Sequence, residues 1–536
     1  MLPGAPRGSF LYSPRQVVTM SFTTPSPLLP EIFALHGKWR APDLAVIADD
    51  QSWTWQTFTE RCHRFGHGLR SQGIAEGARV GVLMTNGLPM VQAMFGTIAA
   101  GCVVVPLNVS VSDTAAVGML NDAEVSAVVA SDDLSDRLET IANALAHPVL
   151  RIAPSPRAGW LSIDDLCAEQ PVTLPVLTTE GESLINIIYS SGTTGLPKGI
   201  AHDHQSRRDW AYDLAVALRY HGGARTLLTI GLYSNISWVA MLATLLAGGC
   251  IHVVAKFDEH DFIERVKRER ITHTAMVPIQ YQRVVEAAQA RGDADFSSMQ
   301  AMMSCGSPLR ETLKQAIFQH FPCGIIELYG LTEGIITTLE TEHAEGRWAS
   351  VGRPLLGTDI CIVDDEDRTV GPNISGEICS RGRIAMPGYW RREDANADAR
   401  YIDANGLIWL RSGDIGYVDD EGFLYIVDRK KDMILSGGQN IYPQDIEAAF
   451  VQHPDLFDVA VIGLASEKWG ETPVALVVPR PDHRIDPTEL LGWVNERVGK
   501  QQRVADVIVL DALPRNPNGK ILKRELREQF KDRRYV

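Results

Sequence analysis

The sequence predicts an α/β protein with a large N-terminal domain of layered α/β subdomains, then a β-rich subdomain, then a small α+β C-terminal domain. From Thr54 to Ala127, amphipathic helical stretches alternate with short β-branched runs, and the alternation returns between Ser183 and Val254. Such alternation is typical of a mainly parallel sheet covered by helices. After about Ser350 the chain changes to short strands with turn sequences. Beyond a charged segment at 428–432, about a hundred residues remain, enough for a separate small domain.

The individual elements follow from the spacing of apolar residues. Helices are predicted from amphipathic or apolar runs at Phe58–Gln72, Pro89–Ala100, Ser206–Leu218 and Trp238–Ala247. Strands are predicted from short β-branched runs at Arg79–Met84, Val103–Pro106, Ser183–Tyr189, Thr226–Ile230 and Ile251–Val254. Later strands are predicted at Phe423–Val427, Met433–Leu435, Val459–Gly463, Val474–Val478 and Val507–Leu510.

Composition excludes several classes of protein. A hydrophobic fraction of 45% and a charged fraction of 22% are those of an ordinary globular enzyme. The net charge of -15 argues against binding to nucleic acid, because phosphate-tracking surfaces are basic. No apolar run is long enough to span a membrane. The eight cysteines are scattered without metal-ligand spacing, which favours reduced thiols and a cytoplasmic location.

The most informative segment runs from Tyr189 to Gly199 and reads Tyr-Ser-Ser-Gly-Thr-Thr-Gly-Leu-Pro-Lys-Gly. It follows an apolar strand and combines hydroxyls, glycines and one lysine, so backbone amides, hydroxyls and an ammonium can converge on phosphate oxygens. It is not a Walker A loop, because Lys198 is followed by Gly199 where that loop has Ser or Thr. The segment therefore predicts a phosphate-binding loop of another kind.

Further motifs follow in a fixed order: Ser304–Leu309, Tyr329–Glu333, Gly376–Tyr389 with Trp390, Ser412–Asp414 with Asp428–Arg429, Ser436–Asn440 and Pro514–Lys520. Together with the loop at Tyr189–Gly199, these motifs make the chain resemble the adenylate-forming superfamily, above all its acyl-CoA and aryl-CoA synthetases of the 4-coumarate-CoA ligase type. The resemblance covers nearly the whole chain. It implies an AMP-forming acid–thiol ligase that uses ATP, Mg²⁺ and coenzyme A.

The resemblance also assigns roles, and the chemistry of the residue types agrees with them. Glu333 is a hard oxygen ligand suited to Mg²⁺, Asp414 can accept from ribose hydroxyls beside the Arg429 fork, and Tyr329 can stack on adenine. The expected ATP and AMP ligands are Ser190, Ser191, Gly192, Thr193, Thr194, Lys198, Gly306, Ser307, Pro308, Glu327, Tyr329, Gly330, Thr332, Asp414, Arg429 and Lys520. The expected catalytic residues are Lys520, Thr194 and Glu333.

By the same resemblance, Lys520 bridges the substrate carboxylate and the α-phosphate from a mobile C-terminal domain. The expected divisions are a flexible arm at 1–28, an ATP- and acyl-binding domain at 29–429, a hinge at 430–431 and a lid domain at 432–536. Rotation about Lys431 would withdraw Lys520 and bring Gly437, Gly438 and Gln439 to coenzyme A. One site could then carry out adenylation and thiolation in turn.

The expected acyl pocket departs from the superfamily pattern. Ser234 stands where relatives often have a gating His and amino-acid-activating relatives have a nearby Asp, so free amino acids are not expected substrates. The predicted pocket residues are Tyr233, Ser234, Ser237, Trp238, Met303, Gly330, Ile335 and Ile336. Trp238 either fills the pocket, which argues against long acyl chains, or belongs to the helix core.

The first substrate hypothesis is an aromatic acid such as a hydroxycinnamate or a benzoate. A short or medium-chain fatty acid is the alternative, and so is an adenylation enzyme that loads a separate carrier protein. A pseudoenzyme is disfavoured because Lys520, Glu333, Asp414 and Arg429 are all present. The expected partners are small molecules, with no nucleic acid and no membrane. The oligomeric state stays open, a homodimer among the options.

Overall fold

The computed structural model describes residues 26–190, 197–437, 439–516 and 519–535. It confirms a mixed α/β fold with a large N-terminal and a smaller C-terminal part. Among the described helices, none combines the length and the apolar character needed to cross a membrane.

The first part of the chain forms most of one sheet, and its elements are α1 (Leu29–Trp39), β1 (Leu44–Ala48), β2 (Gln51–Thr54), α2 (Trp55–Ser71), β3 (Arg79–Leu83), α3 (Leu88–Ala99), β4 (Val103–Pro106), α4 (Asp113–Asp122), β5 (Val125–Ala130), α5 (Ser135–Asn143), β6 (Leu150–Ala153), β7 (Leu161–Ser162), α6 (Ile163–Cys167), β8 (Leu184–Tyr189) and β9 (Gly199–Asp203). Strands β3 to β8 pair in parallel in the order β8-β4-β3-β5-β6-β7, and β9 adds antiparallel to β8. The segment predicted to bind phosphate therefore connects two neighbouring antiparallel strands.

The second part builds another sheet, with elements α7 (His204–Ala217), β10 (Arg225–Leu228), α8 (Asn235–Ala247), β11 (Cys250–Val253), α9 (Glu259–Glu269), β12 (His273–Met276), α10 (Pro278–Arg291), β13 (Ala301–Ser304), α11 (Glu311–His320), β14 (Ile326–Gly330), β15 (Ile336–Leu339) and β16 (Arg353–Pro354). The strand order is β16-β15-β14-β13-β12-β10-β11-β1-β2, with parallel pairing from β14 to β1. One apolar core holds buried side chains from both sheets and from α2, α3 and α8.

The predicted β-rich subdomain follows, with elements β17 (Thr358–Val363), β18 (Gly376–Gly382), β19 (Gly388–Tyr389), α12 (Glu393–Asp398), β20 (Arg400–Ile402), β21 (Ile408–Val418) and β22 (Leu424–Arg429). Strands β17, β18, β20, β21 and β22 form an antiparallel sheet of their own. Strand β19 instead joins β9, so the β-rich part returns to the end of the phosphate-loop hairpin.

The C-terminal part has its own sheet, and its elements are β23 (Ile434–Ser436), β24 (Gln439–Ile441), α13 (Pro443–Phe450), β25 (Leu456–Ser466), β26 (Gly470–Pro479), α14 (Pro487–Asn495), β27 (Asp506–Val509) and α15 (Lys523–Phe530). Two small apolar clusters lie on this sheet and are separate from the N-terminal core.

Two helices begin earlier than predicted because an N-cap residue sets the first residue of each helix. Helix α8 begins at Asn235, three residues before the predicted start at Trp238, because Ser234 is the N-cap and accepts from the Ile236 amide at 3.4 Å. Helix α2 begins at Trp55 because the Thr54 hydroxyl accepts from the Thr57 amide at 3.2 Å. Apolar periodicity alone does not show these caps.

Candidate active site

The two ends of the predicted phosphate loop are fixed by strand pairing. Tyr189 at the end of β8 pairs with Gly199 at the start of β9, and the Ser190 amide donates to the Lys198 carbonyl at 3.0 Å. The central residues Ser191, Gly192, Thr193 and Thr194 lie outside the described residues. The loop stem thus holds Lys198 next to the strands that end at the site.

Lys198 and Glu333 meet at Tyr389, a residue that the sequence analysis did not select. The Lys198 ammonium lies 4.9 Å from the centre of the Tyr389 ring, and the Tyr389 hydroxyl donates to Glu333 Oε1 at 3.0 Å. Burial raises the pKa of Glu333, while the Tyr389 hydrogen bond opposes this shift. Mg²⁺ needs only one or two protein carboxylates when phosphate oxygens and water complete its shell. A single partly buried carboxylate beside a phosphate loop suits that ion.

The turn that carries Glu333 has little room for other residues. Gly330 ends β14, and a Cβ there would lie 2.4 Å from the Ile335 carbonyl oxygen. Gly334 has φ 117°, which favours glycine. The Thr332 carbonyl lies 2.8 Å from His202 Nε2, so β9 also holds the turn in place.

Tyr329, Asp414 and Arg429 come together from three strands. Asp414 on β21 faces Arg429 on β22, and Arg429 Nε lies 3.2 Å from Asp414 Oδ1. The Tyr329 hydroxyl donates to Asp414 Oδ2 at 2.8 Å. Asp414 is buried, yet its Oδ1 accepts no well-aligned hydrogen bond from the described residues. This oxygen is an open acceptor of the kind that a ligand hydroxyl can use.

The predicted adenine loop follows β13 and is held by a hydrogen bond to Glu327 on the neighbouring strand β14. Gly306 and Pro308 are exposed and Ser307 is half-buried, with Gly306 at φ 93°. Glu327 accepts from the Leu309 amide at 3.3 Å and pairs with the buried ammonium of Lys314. Burial raises the pKa of Glu327 and the Lys314 charge opposes the shift. The observed contacts of Glu327 therefore shape the loop, and its role in ATP binding stays a prediction.

Lys520 reaches this site from the C-terminal part. The Lys520 amide donates to Asn516 Oδ1 at 2.8 Å, and the Asn516 amide donates to the Lys520 carbonyl, also at 2.8 Å. A Cβ at Gly519 would lie 3.3 Å from Ile279 Cγ2 in α10, so Gly519 packs against the N-terminal part. Burial lowers the pKa of Lys520 to about 7, the Arg429 charge adds to this, and the Asp414 charge opposes it.

Lys520, Arg429 and Lys431 bring three cationic side chains together with two carboxylates, Asp414 and Asp432. Arg429 and Lys431 both lower the pKa of Lys520, whereas Asp414 and Asp432 raise it. Asp432 is also paired with Arg527 at 3.0 Å. Because a preorganised group of cations stabilises added negative charge, the site is suited to an anionic ligand.

The predicted acyl-pocket residues are mostly buried. Ser237 Oγ donates to the Ile230 and Gly231 carbonyls, both at 3.0 Å, and the Trp238 indole donates to the Leu232 carbonyl at 3.0 Å. Met303, Ile335 and Ile336 are buried as well, Ser234 caps α8, and Tyr233 is half-buried. The contacts of Trp238 agree with a position in the helix core, and its role in the pocket stays a prediction.

The predicted coenzyme A segment lies on a hairpin of the C-terminal sheet. Gly437 has φ 58°, its amide donates to the Trp469 carbonyl at 2.8 Å, and a Cβ there would lie 2.9 Å from the Trp469 ring. Gln439 is exposed, and Gly438 lies outside the described residues. Within the described chain, no hydrogen bond or ion pair joins Gly437 or Gln439 to the residues around Asp414.

Two α/β sheets, a β-rich unit and a C-terminal lysine that enters the site define an adenylate-forming enzyme. Residues 37–390 match the family described as AMP-binding enzyme, and residues 445–520 match the AMP-binding enzyme C-terminal domain. The chain belongs to the AMP-binding enzyme family.

Named relatives cover most of the chain. A feruloyl-CoA synthase from Amycolatopsis is 32% identical over 89% of this chain and 94% of its own length. A long-chain-fatty-acid–CoA ligase from Mycobacterium tuberculosis is 31% identical over 90% of this chain and 94% of its own. The structure of the O-succinylbenzoate–CoA synthetase from Bacillus subtilis with its acyl-adenylate has a TM-score of 0.81, at 26% identity, covering 94% of this chain and 98% of that one. These relatives confirm the predicted class, an AMP-forming acyl-CoA synthetase.

Proposed function

We propose that this chain activates an aromatic carboxylic acid with ATP and transfers the acyl group to coenzyme A. One observation carries the proposal: Lys520 of the C-terminal part lies close enough to Asp414 and Arg429 of the N-terminal part for their charges to shift its pKa. A lysine at this point can bridge two anions that must approach each other, the substrate carboxylate and the α-phosphate.

In the first step, a carboxylate oxygen attacks the α-phosphorus of ATP, the bond to the bridging oxygen breaks, and pyrophosphate leaves. Lys520 holds the two anions together and Asp414 accepts from the ribose. Glu333 would hold Mg²⁺, and the ion would supply positive charge to the phosphate oxygens. The remaining phosphate contacts are assigned to Lys198 and to the loop residues Ser190 to Thr194, of which 191–194 lie outside the described residues; Thr194 is among the proposed catalytic residues.

The remaining ATP contacts are assigned on the same basis. Gly306, Ser307 and Pro308 border the adenine with Tyr329, and Gly330 and Thr332 line the path toward the phosphates. The support for this assignment is their position at the ends of β13 and β14, beside Asp414. Ligands of parallel sheets bind at the carboxyl ends of the strands.

In the second step, the thiol of coenzyme A attacks the acyl carbonyl and AMP leaves. We propose that residues 432–536 rotate as one lid about a hinge at 430–431, and that 29–429 form the fixed domain. Residues 1–25 of the predicted arm at 1–28 lie outside the described residues. The short link between β22 and β23 and the separate apolar clusters of the C-terminal sheet support this division. Rotation would remove Lys520 and bring Gly437 to Gln439 toward the thiol.

The acid is proposed to be aromatic because the feruloyl-CoA synthase is among the similar relatives and because the expected pocket walls, Ile335 and Ile336, are apolar. A fatty acid is the alternative, since a long-chain ligase is similar as well. We also propose a cytoplasmic location, supported by eight free cysteines in the described structure.

A screen of AMP release tests the function. The purified chain is incubated with ATP, Mg²⁺ and one acid at a time, from hydroxycinnamates and benzoates to C2 to C12 fatty acids, with and without coenzyme A. Aromatic thioesters formed only with coenzyme A are the expected products. Fatty acyl products would replace the proposed acid, and transfer only to a phosphopantetheinyl protein would replace the proposed acceptor.

A further inference from the structure

Arg207 is a fully buried arginine whose hydrogen-bond partners are all neutral. It lies in α7 with 1% of its surface exposed, and it packs on the rings of Trp210 and Trp238 at 4.6 and 5.3 Å. Among the described residues no carboxylate forms an ion pair with it. The charge of Asp203 acts on the guanidinium without forming an ion pair. A buried charge without an ion-pair partner is costly, so a purely space-filling role does not account for this residue.

Two of its donors organise a triangle with Asn186 and His202. Arg207 Nε donates to Asn186 Oδ1 at 2.9 Å, and Arg207 Nη2 lies 3.2 Å from His202 Nδ1. Because a guanidinium has only donors, Asn186 must turn its oxygen toward Arg207. The Asn186 amide nitrogen then faces His202 Nδ1, also at 3.2 Å.

The triangle decides where His202 carries its proton. His202 Nδ1 faces two donors and must therefore be the unprotonated nitrogen. Burial, and then the charge of Arg207, lower the pKa of His202 well below its usual value, so the ring is neutral. The single proton is thus on Nε2, which donates to the Thr332 carbonyl at 2.8 Å.

The partners of Arg207 lie on elements that surround the proposed ATP and acyl sites. Asn186 lies on β8, which leads into the phosphate loop, and His202 lies on β9, which leaves it. Thr332 directly precedes Glu333. Arg207 Nη2 also donates to Asn235 Oδ1 at 2.8 Å, at the first residue of α8.

We propose that Arg207 is a positioning residue for adenylation: it holds His202 as the Nε2–H tautomer, and His202 in turn holds the Thr332–Glu333 turn against β9. The proposal rests on the proposed function, because it concerns the binding of magnesium ATP. Arg207 does not touch the reacting atoms. It acts through His202, in the way that a residue hydrogen-bonded to a metal ligand orients that ligand without touching the metal.

The neighbouring arginine provides a matched control. Arg208 is also buried and lies on the same helix, but it pairs with Asp209 at 3.0 Å and donates to the Ser26 carbonyl at 3.3 Å. Its contacts therefore lead away from the site. Arg207→Met and Arg208→Met remove the same group at adjacent positions.

The first measurement is nitrogen-15 NMR of the labelled imidazoles, with His202→Gln used to assign the His202 signals. The wild-type protein is expected to give the Nε2–H pattern for His202 at neutral pH, and Arg208→Met should leave it unchanged. Arg207→Met should shift the pattern toward a tautomer mixture. Arg207→Lys, which keeps a charge and donors, should lie between the two and guards against a variant that fails to fold.

The second measurement is calorimetric binding of magnesium ATP to the same folded variants. Arg207→Met should weaken binding about tenfold, the scale seen when an outer partner of a ligand residue is lost, and Arg208→Met should change it by less than about twofold. In a His202→Gln background the Gln side-chain amide can still donate to the Thr332 carbonyl, but it has no tautomers for Arg207 to select. The added effect of Arg207→Met on magnesium ATP binding should therefore shrink to about twofold or less.

The outcomes separate this proposal from the proposed function. An Nδ1–H tautomer in the wild type, equal losses in Arg207→Met and Arg208→Met, or an undiminished loss in the His202→Gln background would overturn the positioning role. If the wild-type chain bound no magnesium ATP at all, the proposed function would fail, whatever tautomer the NMR spectra gave.

Discussion

Asp414 and Arg429 face each other across β21 and β22, with 3.2 Å between Asp414 Oδ1 and Arg429 Nε, yet Oδ1 accepts no aligned hydrogen bond in the described structure. The second oxygen is taken by the Tyr329 hydroxyl at 2.8 Å. Oδ1 is therefore ion-paired with Arg429 but lacks an aligned hydrogen bond, and a hydrogen bond left unmade at a buried acceptor costs about 1–3 kcal/mol. A ribose hydroxyl bound at Oδ1 would supply that hydrogen bond.

Asp414→Ala should therefore raise the KM for ATP by about tenfold or more, because a hydrogen bond to a charged group is worth roughly 1.5–3 kcal/mol. Initial rates at saturating acid measure the effect. Asp420→Ala is the control, since Asp420 lies in an exposed turn of the same subdomain and, among the described residues, its carboxylate accepts a hydrogen bond from Asn373 alone, at 2.9 Å. Unaltered ATP kinetics in Asp414→Ala would assign Asp414 a structural role instead.

Glu333→Gln should raise the Mg²⁺ concentration for half-maximal activity by about tenfold or more, because the amide keeps the shape but lacks the charge that binds the metal. Burial raises the pKa of Glu333. A proton therefore competes with the metal at a higher pH than for an exposed glutamate, and the wild-type Mg²⁺ requirement should rise as the pH falls. Glu345→Gln, on the surface, is the control. An unchanged Mg²⁺ dependence would contradict the assignment.

The sequence predicts much of the fold because strands and the phosphate loop are each encoded by a contiguous run of residues. Strand β4 matches the predicted bounds Val103–Pro106, and β8 ends at Tyr189 as predicted. The contact between Tyr389 and Glu333 could not be predicted in this way, since 56 positions separate the two residues and only the pairing of β19 with β9 brings them together. The His202–Arg207 pair was missed for a related reason: a buried polar side chain in an apolar strand shows its partners only after folding.

The acyl pocket shows a different limit of sequence analysis. Helix α8 is buried on all sides from Ile236 to Leu246, so its apolar pattern does not reveal which face borders a substrate. Hydrophobic periodicity identifies a face only when the opposite face is polar. In the structure the Trp238 indole is buried and donates to the Leu232 carbonyl, which agrees with a position in the helix core.

Trp238→Ala is accordingly expected to lower the melting temperature by about 5 °C or more, because emptying a buried tryptophan site costs roughly 3–5 kcal/mol. The relative kcat/KM values for short and long acids should stay nearly the same. Trp39→Ala is the control, since 74% of Trp39 is exposed, and Trp238→Phe should recover part of the loss. A preference shifted toward larger acids at an unchanged melting temperature would place the indole in the pocket.

The proposed hinge predicts a variant that separates the two half-reactions. Lys431→Pro fixes one backbone angle and should restrict rotation of the lid. Acid-dependent exchange between ATP and pyrophosphate should persist within about threefold, while coenzyme A transfer should fall by about tenfold or more. Lys431→Ala loses the same ammonium but leaves the backbone free, so coenzyme A transfer should not fall selectively in this control. Equal losses in both half-reactions of Lys431→Pro would argue against a hinge at this position.

Lys520 provides the strictest test, because its charge should matter only while carboxylate and α-phosphate meet. Burial, with Arg429, lowers its pKa to about 7. The ammonium of the free enzyme is therefore lost as the pH rises through about 7, and kcat/KM for exchange should fall above that pH. Bound ATP adds negative charge and should move the decline of kcat to a higher pH.

Lys520→Ala should lower acid-dependent exchange by about a hundredfold or more, the scale for losing one preorganised charge-stabilising group, and should remove the decline above neutral pH. Thioester formation from a supplied acyl-adenylate should survive within about threefold. In that step the thiol attacks the acyl carbonyl carbon after Lys520 has left the site, so the lysine makes no contact with this transition state. Lys500→Ala, at an exposed position of the same C-terminal part, should leave both half-reactions unchanged. If Lys520→Ala impaired both half-reactions equally, or neither, one site acting in two lid positions would not describe this enzyme.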